Sequence, residues 1–188
     1  MTHAGDTEGG FHAMVEGQGA FMSASSHEET GISFMGYPGT WWGQGPLLGL
    51  PRSGFTVARS PCRIAILSLP LLRRRLSEVP ADWEAISLVW SDLFLMAAGA
   101  QTDLLIPGHL PRLAAAILRL GGNRHRRFPV DAPQTFLLTQ EDLAGAIGLA
   151  RNAAGRLLRQ LEAQGLVDAR YGRITILDRA GLSRLVGR

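Results

Sequence analysis

The 188-residue chain contains no lysine; all nineteen of its Lys/Arg positions are arginine. GC-rich coding produces that bias, so arginine enrichment alone does not mark a nucleic-acid binder. There is one cysteine, Cys62. That excludes an intrachain disulfide and an iron–sulfur cluster held by four cysteines of one chain. The five histidines (His3, His12, His27, His109 and His125) show no metal-ligand spacing on one helix, so no metal is expected. The first twenty residues lack a basic start and a sustained apolar run, and no signal peptide is expected. The longest apolar stretch, near Leu88–Ala100, is broken by Ser91 and Asp92 and falls short of the roughly 20 residues that span a bilayer. A cytoplasmic protein with no membrane partner is expected. Ser53 and Ser68 have no His and Asp signature around them, and no glycine-rich loop is followed by Lys. The sequence therefore predicts no catalytic residue and no enzyme.

Charge is also missing from one end. Residues 1–50 hold no arginine and five acids, a net −5. Residues 51–120 hold eight arginines against five acids, and residues 121–188 eleven against six, net +3 and +5. A basic end joined to an acidic one suggests that only part of the chain meets polyanions.

The first half reads as β structure. Phe11–Val15, Ala20–Ser23, Ile32–Met35, Phe55–Ala58 and Ile64–Leu67 are short and separated by Gly, Pro or Ser clusters, the pattern of a sandwich or jelly roll. Helix signals begin at Leu69–Leu76. A long helix is predicted from Ala81 to about Leu105, between Pro80 and Pro107. Its apolar stripe runs through Trp83, Ile86, Trp90, Phe94, Ala97 and Leu104. Such a stripe either packs on its own domain or forms a dimer seam with a/d spacing. A further helix is expected at Leu110–Leu120, ending at Gly121–Gly122. Residues 123–134, with Pro129 and Pro133, read as a linker.

The most informative stretch is Leu138–Glu162, LTQEDLAGAIGLARNAAGRLLRQLE. It reads as two short helices joined by a three-residue turn. Thr139 caps the first, with Asp142 three residues on completing a capping box, although Glu or Gln is preferred there. Leu143, Ala144 and Ile147 share one face. Gly148 ends the helix where a left-handed residue is needed, and Leu149 plugs the turn. Ala154, Leu157, Leu158 and Leu161 form the buried stripe of the second helix. Arg151, Asn152, Gly155, Arg156 and Arg159 are expected on its open side. Arg can fork onto guanine O6 and N7, and Asn onto adenine N6 and N7; Gly155 is expected to let the helix lie close to a duplex. Behind it, Leu166–Leu177 (LVDARYGRITIL) reads as two strands around Tyr171–Gly172, the wing of a winged helix, with Arg170 and Arg173 at its tip. The competing reading is an amphipathic hairpin whose arginines are merely solvated.

In this order, the barrel, long helix, linker and winged helix resemble the Crp/Fnr family of bacterial transcription regulators. The resemblance rests on Gly9–Gly19, Pro38–Leu67 and Ser68–Pro70 in the first half, and is closer in the second. It implies an α+β fold: residues 1–80 as a partial cyclic-nucleotide-binding-like β-barrel of jelly-roll type, 81–107 as the dimerisation helix, and 108–188 as the winged helix-turn-helix. Gly43–Ala58 resembles the family's phosphate-binding cassette, with Arg52 and Ser53 on its Arg-Ser pair. Gln44 stands where cyclic-nucleotide binders carry a Glu for the ribose hydroxyl. The loop is tighter than in cAMP-responsive members, and the long helix is apolar where they use hydroxyls, so no cyclic nucleotide is expected as cofactor. Gly5–Gly10 resembles the turn after strands that open the family's barrel, so the barrel reads as N-terminally shortened, either through a misassigned start codon or through a trimmed sensor domain. Arg151, Asn152 and Arg156 fall on the family's base-reading positions, with Asn where an acid is common. Thr139, Arg159 and Arg173 are assigned to phosphates. The implied partners are double-stranded DNA and a second copy of the chain, with RNA polymerase a further candidate. The alternative is a ligand-binding or protein-interaction module whose winged helix does not meet DNA.

Overall fold

The computed structural model describes residues 3–7, 9–23, 31–125 and 134–187. Two antiparallel three-stranded sheets build the N-terminal part. In one, β1 (Gly10–Glu16) lies between β4 (Trp41–Trp42) and β6 (Arg63–Ser68); in the other, β2 (Gly19–Ser23) lies between β3 (Ile32–Gly36) and β5 (Gly54–Ala58). The five strands expected from the sequence all form. β4 was not expected: two residues are too few to show any periodicity.

A single turn of helix, α1 (Gln44–Leu47), sits between β4 and β5. α2 (Leu69–Glu78) follows β6 with Pro70 in its first turn, a place where the missing N–H costs nothing. α3 (Asp82–Leu104) is the long helix. Asp82 and Glu84 in its first turn complement the helix dipole. Met14, Phe21, Phe34 and Trp42, one from each of four strands, pack with Leu93 and Met96 of α3. Phe21 stacks on Phe34 with ring centroids 4.3 Å apart. A second cluster joins Phe11 and Leu47 to Leu69, Leu72 and Leu76 of α2 and Ile86 of α3.

Ile86 therefore packs on its own domain, one of the two roles the sequence left open for the stripe. The remaining stripe residues line up differently. Trp83, Ser87, Trp90, Phe94, Ala97, Gln101 and Leu104 are spaced alternately four and three residues apart, the a/d rhythm of a coiled-coil seam. Phe94 is 70 % exposed and Leu104 42 %, while Trp90 is half-buried against the barrel.

The C-terminal part comprises α4 (His109–Leu120), β7 (Thr135–Phe136), α5 (Gln140–Ile147), α6 (Arg151–Ala163), β8 (Val167–Arg170), β9 (Arg173–Ile176) and α7 (Arg179–Val186). The linker expected at 123–134 falls largely on residues 126–133, which lie outside the described residues. β7, two residues long, adds a third strand beside β9 in the order β7-β9-β8. Its core is continuous with one face of the barrel: Ala20, Ile32, Met35 and Tyr37 join the cluster of Leu113, Ile117, Leu120, Phe136, Leu143, Ile147 and Leu158. β3 is thus buried on both faces, Phe34 toward the barrel interior and Met35 toward the C-terminal part.

A buried ion pair fastens the two parts. Arg119 of α4 donates through Nε to Asp103 Oδ2 of α3 at 3.0 Å, both side chains being 1 % exposed. Arg124 and His125 approach the other carboxylate oxygen. Arg119 also donates to the Ser33 carbonyl of β3, and the Tyr37 hydroxyl donates to the Leu120 carbonyl at 2.6 Å.

Candidate nucleic-acid interface

α5 begins with the expected capping box in full. The Asp142 N–H donates to Thr139 Oγ1 at 3.1 Å, and the Thr139 N–H donates to Asp142 Oδ2 at 2.8 Å. The shorter Asp serves in place of Glu because Thr139 Oγ1 also donates to it. Thr139 is exposed, but its hydroxyl is engaged in this cap, so it meets a phosphate only by giving up the bond to Asp142. Gly148 closes α5 at φ 66°, ψ 39°, a conformation that glycine takes without a Cβ penalty. The Leu149 N–H then reaches back to the Ala144 carbonyl at 3.0 Å, which turns the chain sharply into α6.

α6 starts without a side-chain cap and without an acid in its first turn. Arg151 and Asn152 stand there instead, against the sign that the helix dipole favours. The open N–H groups and the arginine together form an electropositive end that an anion would satisfy. Arg151, Asn152, Arg156 and Arg159 are all exposed, while Ala154, Leu158 and Leu161 are buried. Gly155 is a correction. It is buried, and a Cβ built on it would lie 3.1 Å from the Gln140 amide oxygen. Its smallness lets α6 cross close over the start of α5. Helical spacing alone could not show which neighbour lay opposite.

Among the described residues, ion pairing divides the arginines into two sets, and those of α6 fall in the unpaired one together with Arg73, Arg112 and Arg179. Arg59, Arg63, Arg74, Arg75, Arg119, Arg124, Arg170 and Arg184 each face a carboxylate. Among the described residues, Arg151, Arg156, Arg159 and Arg173 face none. In the wing, β8 and β9 pair with Arg170 opposite Arg173. Arg170 is neutralised by Asp168 at 2.9 Å, leaving Arg173 as the open charge. Tyr171, at the tip, is fully exposed; the sequence reading passed over it, although an aromatic in a Tyr-Gly turn was a signal.

The barrel residues singled out from sequence also come together. Gln44, Arg52 and Ser53 line one cavity of about 460 Å³ with Phe21, Trp90 and Phe94. Yet the polar groups of Gln44 and Arg52 are turned to the protein. Gln44 Oε1 accepts from the Gly43 N–H at 3.0 Å, and Gly43, at φ 113°, has no room for a Cβ beside the Gly10 carbonyl. Arg52 is buried, donates to that same carbonyl at 3.1 Å, and has the Asp6 carboxylate as a favourable charge nearby. Ser53 is exposed.

His12 stacks on Trp42 with centroids 5.4 Å apart. Burial, and then the positive charge of Arg52, lower its pKa to about 4. The folded protein holds His12 neutral down to that pH, while the unfolded chain takes up a proton near pH 6.5. Between those values the unfolded state binds more protons, so stability falls as the pH drops through the window. We expect His12→Phe, which keeps the stack, to remove on the order of 2 kcal/mol of the stability lost between pH 6.5 and pH 4. Urea melts of both proteins across that range check it; parallel curves would refute it.

Among the described residues no helix is long and apolar enough to cross a membrane. The family model of the Crp-like helix-turn-helix domain matches residues 111–185. The cAMP-activated global transcriptional regulator CRP of Pasteurella multocida is 23 % identical over 171 residues, covering 90 % of this chain and 81 % of the relative. Among solved structures, a Crp/Fnr-family transcriptional regulator of Thermus thermophilus superposes with a TM-score of 0.67 at 21 % identity, covering 99 % of this chain and 92 % of that one. FixK2 of Bradyrhizobium japonicum gives a TM-score of 0.71 at 18 % identity, covering 99 % and 91 %. These agree with the resemblance and the fold class read from the sequence.

Proposed function

We propose that this chain, which has the fold of the Crp/Fnr regulators and carries their Crp-like helix-turn-helix domain, is a homodimeric transcription regulator that reads double-stranded DNA. The observation that carries the reading is the exposed α6 face of Arg151, Asn152, Arg156 and Arg159, whose arginines face no carboxylate among the described residues, beside a wing with Arg173 open. Arg151, Asn152 and Arg156 enter the major groove and read bases. Arg159 and Arg173, with Thr139, hold phosphates. The α3 seam of Trp83, Phe94 and Leu104 pairs two copies, covering apolar side chains that would otherwise form an exposed patch. Such a protein acts in the cytoplasm, where the chromosome is, and RNA polymerase is the further partner it would meet at a promoter. No reaction is assigned to it. Selection of duplexes from a random pool tests the reading. A site of two half-sites roughly 34–36 Å apart is expected; enrichment of no sequence would count for the protein-interaction alternative.

The barrel is proposed not to respond to cAMP, unlike what the name of the Pasteurella relative says of that protein. Gln44 caps its own turn and Arg52 is already engaged. Saturation at a hundredfold the dissociation constant would stabilise by about 2.7 kcal/mol, a rise of several degrees in Tm. Millimolar cAMP is expected to leave Tm unchanged. A rise abolished by Arg52→Ala would overturn this.

A further inference from the structure

Two barrel turns reach the elements that surround α6. Gln18, between β1 and β2, binds the chain just ahead of α5 with both ends of its amide. Nε2 donates to the Thr135 carbonyl at 3.3 Å, and Oε1 accepts from the Leu137 N–H at 2.9 Å. Arg59, between β5 and β6, donates to Asp142 Oδ1 at 2.7 Å, with the two side chains only 24 % and 12 % exposed. The two turns are one unit, since the Arg59 N–H donates to the Gln18 carbonyl at 2.8 Å. Asp142 divides its carboxylate: Oδ2 serves the capping box, and Oδ1 serves the barrel.

Tyr37 and Arg119 tie the barrel to α4. Gln18 and Arg59 instead tie it to β7 and α5, against which α6 is set at its Gln140–Gly155 crossing. We infer that Gln18 and Arg59 are positioning residues for DNA reading. They lock the helix-turn-helix onto the barrel at one orientation and so set the distance between the two α6 helices of a dimer. The inference rests on the DNA-binding reading above. Neither residue touches the duplex. Each acts through a partner that keeps its local role without it: removing Arg59 leaves the Thr139–Asp142 cap in place, and removing Gln18 leaves β7 paired with β9.

The test uses the full chain carrying Gln18→Ala and Arg59→Ala together, with Arg59→Lys alone as the conservative comparison. Binding is titrated against an isolated half-site duplex and against inverted repeats whose spacing is stepped by single base pairs. Amide exchange at Leu137 is followed without DNA. The double variant is expected to keep wild-type affinity for the half-site and the wild-type salt slope. Its preference for the best spacing over its neighbours should shrink by at least roughly fivefold, the low end of ordinary coupling between sites. Exchange at Leu137 should speed up by about tenfold or more as local opening becomes easier. Arg59→Lys should retain the spacing preference. Unchanged spacing preference in the double variant overturns the inference, as does unchanged protection at Leu137. If the wild type binds no duplex, the DNA reading itself has failed, and the exchange result still decides whether the lock exists.

Discussion

Arg156→Ala is expected to weaken binding to the cognate duplex by about 1–3 kcal/mol, roughly five- to 150-fold, and to relax preference at one base pair. Arg156 lies one turn and a half into α6, exposed and facing no carboxylate among the described residues. A bidentate contact to guanine O6 and N7 lost at that point leaves the base edge unpaired, which raises the cost above that of a lost phosphate contact. Arg151→Ala should do likewise at a different base pair, and the two losses should add approximately, because separated base contacts behave nearly independently. Arg173→Ala provides the contrast. It stands on β9, with Arg170 across the hairpin already neutralised by Asp168. Its removal should weaken all duplexes alike and flatten the salt slope by about one unit. Titration of the three variants against cognate and scrambled duplexes at several salt concentrations checks the assignment. Equal losses on both duplexes for Arg156→Ala would make it a phosphate clamp.

The second large effect concerns assembly. Phe94→Glu with Leu104→Glu should convert a dimer into monomers in sedimentation. Each substitution would place a carboxylate on the seam, and in a paired helix it would meet its own copy across the axis. Burying two unpaired like charges costs several kcal/mol, enough to shift the dimer dissociation constant by about three decades or more. Phe94 and Leu104 are the positions of choice because they are exposed. Trp90 would confound the experiment, since it also packs on the Phe11–Leu72–Ile86 cluster. Its replacement would damage the barrel along with the seam. A dimer that survives the double substitution would place the interface elsewhere. Loss of dimers with an intact fold should also reduce affinity for the full site to near that for a half-site, because the linked second contact is lost.

What the sequence revealed followed local physics. The capping box at Thr139, the left-handed Gly148 and the apolar spacing of Leu158 and Leu161 are all decided within a few residues, so the helix-turn-helix was legible to its ends. The wing was legible because Tyr171–Gly172 sits between two alternating runs. β4 and β7 were not, because two-residue strands exist only through their partners, β1 and β9. The partner of Ile86 stayed open and Gly155 was expected on the open side for one shared reason: helical periodicity gives relative angles but not the identity of the neighbour. Gln18 and Arg59 carried no local signal at all. Their partners lie 119 and 83 residues away, and polar residues in short turns ordinarily face water. The cassette was legible as a set, since Gln44, Arg52 and Ser53 do line one cavity. The turning of Gln44 back onto Gly43 required coordinates.

If the open arginine face of α6 and the wing reads duplex DNA, binding must depend both on salt and on sequence. The most direct measurement is the affinity of the full chain for a selected duplex and for its scrambled counterpart, taken between about 50 and 200 mM salt, where counterion release dominates. Log affinity should fall linearly with log salt, by about 0.9 for each phosphate contacted, and the selected duplex should stay preferred throughout. Affinity independent of salt, or equal for the two duplexes at every salt concentration, would contradict that reading.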